Sequence, residues 1–213
     1  MGLMAELGLI KSQNTKTGSI FEALVPDFFK LSAIRPSEYM AFCWTKYNDN
    51  YPNQDVGTNG KFFELCIATL LIRENILPFY MQAQMAFVPN VNYDFILYTN
   101  QGWPISLSAK TSLRERYKQA DLEAIALKYV HRRSKSYLVT LNKKECIGIK
   151  NKIANGDVIG IDESVFALSS EFDDFIKLLK DNYCFYSPSP VEIIKAEILI
   201  TCEKVKNVCS SHL

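Results

Sequence analysis

Asp94, Lys110 and Glu123 are the residues of this 213-residue chain whose types and spacing best suit shared chemistry. Phosphodiester hydrolysis needs carboxylates to hold a hard cation against a non-bridging oxygen, and a cationic side chain to orient and activate the attacking water. Asp94 and Glu123 can supply the carboxylates for Mg2+, and Lys110 the ammonium. Between Lys110 and Glu123 runs Thr111-Ser112-Leu113-Arg114-Glu115-Arg116, a stretch whose charged side chains match the hydrogen-bonding edges of bases.

These residues have to be carried by defined elements. Apolar residues at helical spacing predict a helix over 18–31 interrupted at Pro26, a second from Pro36 through Tyr47, and a buried helix from Asn59 to near Asn75 that carries Glu64. The polar stretch 48–59, with Pro52 and Gly57, is the best candidate boundary. It divides an N-terminal helical segment, 1–57, expected to serve dimerisation or DNA contact, from a core over 58–213 with C-terminal helical elements. Residues 1–16 lack strong periodicity and are expected to fray.

Strand-like runs follow at Phe79–Val88, Tyr93–Tyr98 and Pro104–Ser108, the last two joined as a hairpin through Thr99-Asn100-Gln101-Gly102. Next come a helix over Leu113–Arg132, a strand at Ser136–Leu141, a helix near Asn142–Ala154, a strand around Val158–Ile161 and a helix over Glu171–Lys180. Val191–Cys202 is open between helix and strand. The order predicts an α/β protein, a mixed β-sheet flanked by helices. In a hairpin of this size Asp94 and Lys110 reach one end of the sheet.

Each candidate also has an ordinary reading. Asp94 can be a strand-start turn residue, and a lysine at a strand end is commonplace. Ser108 stands two residues before Lys110, where an acid is normally expected beside such a lysine, and a hydroxyl is a weak ligand for a hard dication. The missing charge falls to Glu123, on the core-facing stripe of its helix, where a carboxylate must be metal-bound or paired with a base such as Lys110. Glu64 is a further possible metal ligand, with an exposed helix position as its bland alternative; Asp121 and Asp157 invite the same caution.

Arg114 and Arg116 at a helix start oppose the helix dipole. Arginine bridges O6 and N7 of guanine, and glutamate accepts from N4 of cytosine, so Arg114, Glu115 and Arg116 form a complete reader of adjacent C·G pairs. The competing account is an intrahelical network of Glu115 with Gln119 or Lys118. From Lys110 to Lys135 eight Lys/Arg stand against three acids, although the net charge of the chain is only +1. That local excess marks Lys118, Arg132 and Arg133 as phosphate-backbone contacts, unless it is a solvated helix face.

The hydrophobic fraction of 48% and charged fraction of 22% argue against disorder. Six dispersed cysteines with only His131 and His212 to join them make a zinc site a poor reading. No run resembles a signal peptide or membrane span, so the expectation is a cytoplasmic protein with free thiols and no membrane partner.

Ser-x-Lys followed by Thr-Ser-Leu-Arg-Glu-Arg, with a glutamate thirteen residues after the lysine, resembles the EcoRII, PspGI, SsoII and NgoMIV group of type II restriction endonucleases, a variant of the PD-(D/E)xK nuclease core. The resemblance covers roughly residues 60–140 and is tight only over 108–123; Tyr93 stands where the eponymous proline would. It implies a restriction-endonuclease-like fold, Mg2+ as cofactor, Asp94 and Glu123 as metal ligands, Lys110 as catalytic lysine and Glu64 as the acid on the helix before the sheet. Arg114, Glu115 and Arg116 would read the C·G pairs of a palindromic double-stranded DNA site containing CC/GG. A homodimer and a companion DNA methyltransferase in the host follow from such a role. The rivals are a DNA-binding module that lost its chemistry and a repair or homing nuclease on the same core. Trp44, Tyr47 and Trp103 are either core aromatics or wedges for a flipped base.

Overall fold

The computed structural model describes residues 2–10, 15–88, 90–188 and 194–211; His212 and the start of Val191–Cys202 lie outside them. Short helix α1 (Leu3–Glu6) leads to α2 (Lys16–Leu24), which stops before Pro26, and a 3-10 turn over Phe28–Leu31 is capped by Asp27. Helix α3 (Pro36–Asn50) starts with proline at its first position, and Glu38 accepts from the Arg35 N–H at 3.0 Å. Helix α4 (Val56–Arg73) is capped by Asp55, whose carboxylate accepts from the Thr58 N–H at 2.8 Å.

Apart from Arg73, every residue of α4 from Leu65 to its end is buried. A helix apolar on all sides must be covered on all sides. The sheet covers one face, and α2 and α3 cover the other, so Phe21, Phe28, Tyr39 and Tyr47 share one core with Phe62, Phe95 and Leu107. The core thus runs across the expected boundary at 48–59. Residues expected to fray belong to it as well, since Met4, Leu7 and Leu9 are buried there.

Strands β1 (Phe79–Met85), β2 (Tyr93–Tyr98) and β3 (Pro104–Lys110) form an antiparallel meander in which Met81 pairs with Phe95 and Phe95 with Leu107. Helix α5 (Arg116–Val130) crosses over to β4 (Lys135–Thr140), parallel to β3 with Lys110 opposite Thr140. Helix α6 (Lys143–Ala154) leads to β5 (Glu163–Phe166), parallel to β4. Helix α7 (Ser170–Asn182) buries Phe172, Phe175, Ile176 and Leu179 at the spacing of one helical face. Strand β6 (Ile194–Ile200) pairs antiparallel with β1, and α8 (Cys202–Ser211) closes the described chain. The result is a six-stranded mixed sheet of order β5-β4-β3-β2-β1-β6, flanked by helices. Among the described residues no helix is long and apolar enough to cross a membrane.

The strand expected at Val158–Ile161 is a loop, and the strand lies at 163–166. Asp121 of α5 accepts from the Gly160 and Ile161 N–H groups at 2.7 and 3.2 Å, so this backbone is satisfied by a carboxylate instead of a ladder. Gly160 lies so close that a Cβ would come within 2.3 Å of the Asp121 carbonyl oxygen. Gly160→Ala is therefore expected to cost about 1–3 kcal/mol, read as a lowered denaturation midpoint. An unchanged midpoint would remove this account of the loop.

Candidate active site

One residue beyond the Phe95–Leu107 pair, still within β2, Asp94 sets its side chain against the end of β3. Its Oδ2 accepts from the Ala109 N–H at 2.8 Å and from Lys110 Nζ at 2.7 Å, with the Ser108 hydroxyl at a longer 3.4 Å. Oδ1 has no donor among the described residues. The ion pair is largely shielded, with the Lys110 and Asp94 side chains 14% and 11% exposed. Ser108 is thus a donor to the aspartate, and the site's other acids come from helices on the two sides of the sheet.

Glu64 reaches the pair from α4. Its Oε2 accepts from Gln82 Nε2 at 3.0 Å, and burial, followed by repulsion from Asp94, pushes its carboxyl up to about 7. The attraction of Lys110 and Lys61 opposes that rise only in part. Glu123 reaches the pair from α5. Burial raises its carboxyl too, while Gln119 Nε2, donating to Oε1 at 2.7 Å, and Lys110 favour the anion and Asp94 disfavours it. The Tyr93 hydroxyl donates to the Glu123 carbonyl oxygen at 3.0 Å, tying α5 to the start of β2. All four expected groups therefore lie within electrostatic reach of one centre, the Asp94–Lys110 pair.

Gln82 was not foreseen in this role. Its φ of +49° is left-handed within a strand, a conformation that costs a non-glycine residue on the order of 1–3 kcal/mol. Tyr80 and Ala83, three apart, consequently share one face of the sheet where strict alternation would separate them. The kink turns the Gln82 amide between Glu64 and Asn92, whose Nδ2 donates to Gln82 Oε1 at 2.7 Å. A carboxylate can only accept, so this chain of donors orients Glu64 in its ionised form. A polar residue in the middle of an apolar strand was the available signal.

Glu64, Asp94 and Lys110 open on a groove of about 760 Å³. Its walls are the first turns of α2 and α4, Arg116 of α5, and β6 near Ile198. Glu123 instead lines a cavity of about 10 Å³ beneath α5, with Tyr93, Asp94 and Ser108, which has room for about one water. Glu64 is therefore the acid that shares the open groove with Asp94. Its alternative as an exposed helix position does not hold.

Asp94 and Glu64 are the residues of the groove that could contact a hard cation. The Asp94 carboxylate, whose Oδ1 is unengaged, raises the cost of ionising Glu64, and a divalent ion at this end of the groove would relieve that cost. Among the described residues no group of three or more His, Cys, Asp or Glu side chains is placed to hold a metal ion by itself. Mg2+ would draw on Asp94 and Glu64, while Glu123 lines the separate small cavity beneath α5.

The basic residues divide between two places. Arg114, Glu115, Arg116 and Lys118 stand exposed at the start of α5, beside the Lys110 end of β3. Leu113 anchors this turn: its side chain is buried and its N–H donates to Glu145 Oε2 at 2.6 Å. Arg114 has a φ of +31°. Glu115 and Lys118 form the ordinary surface pair at 2.6 Å. Arg132 and Arg133 lie at the other end of the sheet, since β4 begins opposite the start of β3. The length of β3, roughly 20 Å at about 3.3 Å per residue, separates them from Lys110, and Arg133 stacks over Trp103 at 4.3 Å. They do not join the site. Nor do the aromatics: Tyr47 stacks on Phe62 at 4.0 Å, and Trp44 packs against Tyr47, Phe62 and Phe63.

No protein-family model, curated protein or solved structure matches this chain.

Proposed function

We propose that this protein is a Mg2+-dependent endonuclease of the restriction type that hydrolyses double-stranded DNA, with Asp94, Glu64 and Lys110 as its reacting groups and Glu123 in support. The observation that carries the reading is the shared position of a shielded Asp94–Lys110 pair and the strained carboxyl of Glu64 on the floor of one groove. When bound, Mg2+ polarises a phosphoryl oxygen and lowers the pKa of coordinated water. Asp94 and Glu64 would hold that ion, and the bonds that Asp94 Oδ2 accepts from the Ala109 N–H and Lys110 Nζ fix the orientation of its carboxylate. Lys110 Nζ, a three-donor ammonium, orients the attacking water and offsets charge gathering on the phosphoryl group. Water adds to phosphorus, the bond to O3′ breaks, and the products are a 5′-phosphate and a 3′-hydroxyl that takes up a proton.

Arg114, Glu115 and Arg116 are exposed at the start of α5, where Arg116 lines this groove, and are assigned to C·G pairs of a palindromic site, read by a homodimer so that each strand is cut once. A companion methyltransferase would protect host DNA. Incubation of a mixed-sequence plasmid with purified protein and Mg2+ is expected to give discrete fragments with 5′-phosphate ends. No cutting, or an unresolved smear, counts against the proposal. Arg114→Ala is expected to lose about 1–3 kcal/mol of discrimination at one base pair, seen as additional cut sites; an unchanged fragment pattern removes Arg114 from base reading.

Ser108 in place of an acid beside Lys110 favours a second reading, a DNA-binding module without chemistry. It predicts duplex binding with no cleavage and no Ca2+ uptake that depends on Glu64 or Asp94.

A further inference from the structure

The groove extends well beyond the reacting groups, and its far wall is built from the N-terminal segment. Lys16 at the start of α2, Lys61 on α4 and Arg116 on α5 line it together with the Asp94–Lys110 pair. All three are exposed, and among the described residues neither Lys61 nor Arg116 has a carboxylate at salt-bridge distance. Lys16 pairs with Asp55 at 3.6 Å, but both side chains are more than 60% exposed, so the pair is readily exchanged for another anion. Asp55 and Glu197 are the acids on the same wall; Asp55 is committed to capping α4. The remaining acids, Glu64 and Asp94, sit at the floor, where a divalent cation belongs.

The wall is also bare. Gly57 and Gly60 fall within the first five residues of α4, where glycine weakens a helix. A Cβ at Gly60 would meet nothing within 4 Å, so no packing reason keeps a side chain away. A lysine one turn before Glu64, another on the neighbouring helix and an arginine across the groove form a cationic rim around an open channel that ends on the reacting groups. A polyanionic chain is the ligand such a channel fits.

We infer that this groove is the seat of the cleaved DNA strand, and that Lys16 and Lys61 hold phosphates flanking the scissile one while Arg116 across the groove faces the bases, a phosphate role that Arg132 and Arg133 do not share. The inference rests on the nuclease reading and gives the N-terminal segment a part in it. Binding of a random-sequence 30-base-pair duplex is to be measured in Ca2+ at several salt concentrations. Each lost phosphate contact lowers the slope of log K against log salt by about 0.9. The double variant Lys16→Ala/Lys61→Ala is therefore expected to lose about 1.8 of the slope, whereas Arg132→Ala/Arg133→Ala keeps it. Gly60→Phe should fill the channel and weaken binding about tenfold or more while its melting temperature stays at or above that of the parent. A parental slope in the lysine variant, or undiminished binding by a folded Gly60→Phe protein, overturns the groove assignment alone. A wild-type protein that binds no duplex at all overturns the nuclease reading instead.

Discussion

Lys110→Met is expected to lower the rate of DNA cleavage by about 10²–10⁴-fold, the range that a positioned proton-transfer or charge-stabilising group supplies. The same substitution strips Asp94 of its counter-ion inside a shielded site, and breaking such a pair costs up to about 3–5 kcal/mol. The Ala109 N–H and the Ser108 hydroxyl still donate to Asp94, so the loss should fall in the lower part of that range. Loss of activity and loss of fold can be separated by the double variant Asp94→Asn/Lys110→Met. It removes both charges and is expected to recover most of the lost stability while remaining inactive. A double variant as unstable as the single one would show that Asp94 and Lys110 are not coupled. Full cleavage by a folded Lys110→Met protein would take the lysine out of the chemistry.

The second large effect concerns Glu64. Its carboxyl stands at about 7 in the folded protein against an ordinary 4.5, so between those values the native state binds more protons than the unfolded one. Stability is then fullest below about pH 4.5 and falls as pH rises through 7, by roughly 3 kcal/mol at most for a shift of this size. For a chain of this length that corresponds to a melting temperature lower by roughly 6–12 °C. Glu64→Gln should abolish this dependence and raise stability at pH 8 while impairing cleavage. Mg2+ should act in the opposite sense to the proton, because it favours the ionised carboxylate. Melting curves from pH 5 to 8.5, with and without Mg2+, should therefore diverge as pH rises. Identical pH slopes for the parent and Glu64→Gln would show that Glu64 is not strained. Divergence retained in the variant would move the ion elsewhere.

These two residues also show how unevenly the site was legible. Asp94 and Lys110 are separated by one tight hairpin, so alternation and turn chemistry sufficed to bring them to the same end of the sheet. Glu64 has no such local tether. It comes from a helix whose distance from the hairpin depends on packing, and an acid on a helix is exposed far more often than buried. Gln82 escaped notice because its part depends on a left-handed backbone that strand periodicity does not encode. The basic run 110–135 read as one patch along the chain. A helix of 15 residues carries its two ends to opposite ends of the parallel strands, so one half faces the groove and the other does not. The loop at 158–161 misled for a related reason: its apolar residues are buried, but against α5, with Asp121 in place of a neighbouring strand.

Local rules determined the element order from α2 to α7, the α/β mixed sheet, the hairpin that joins Asp94 to Lys110 and the charged turn after it, since each depends on periodicity or on residues within a few positions. Only the tertiary structure decided that Glu64 rather than Glu123 shares the open groove, that α2 and α3 cover a helix apolar on every side, and that the groove's far wall comes from the N-terminal segment. Those outcomes follow from how helices must stack to bury area between layers, a property of the whole chain that no short window of residues contains.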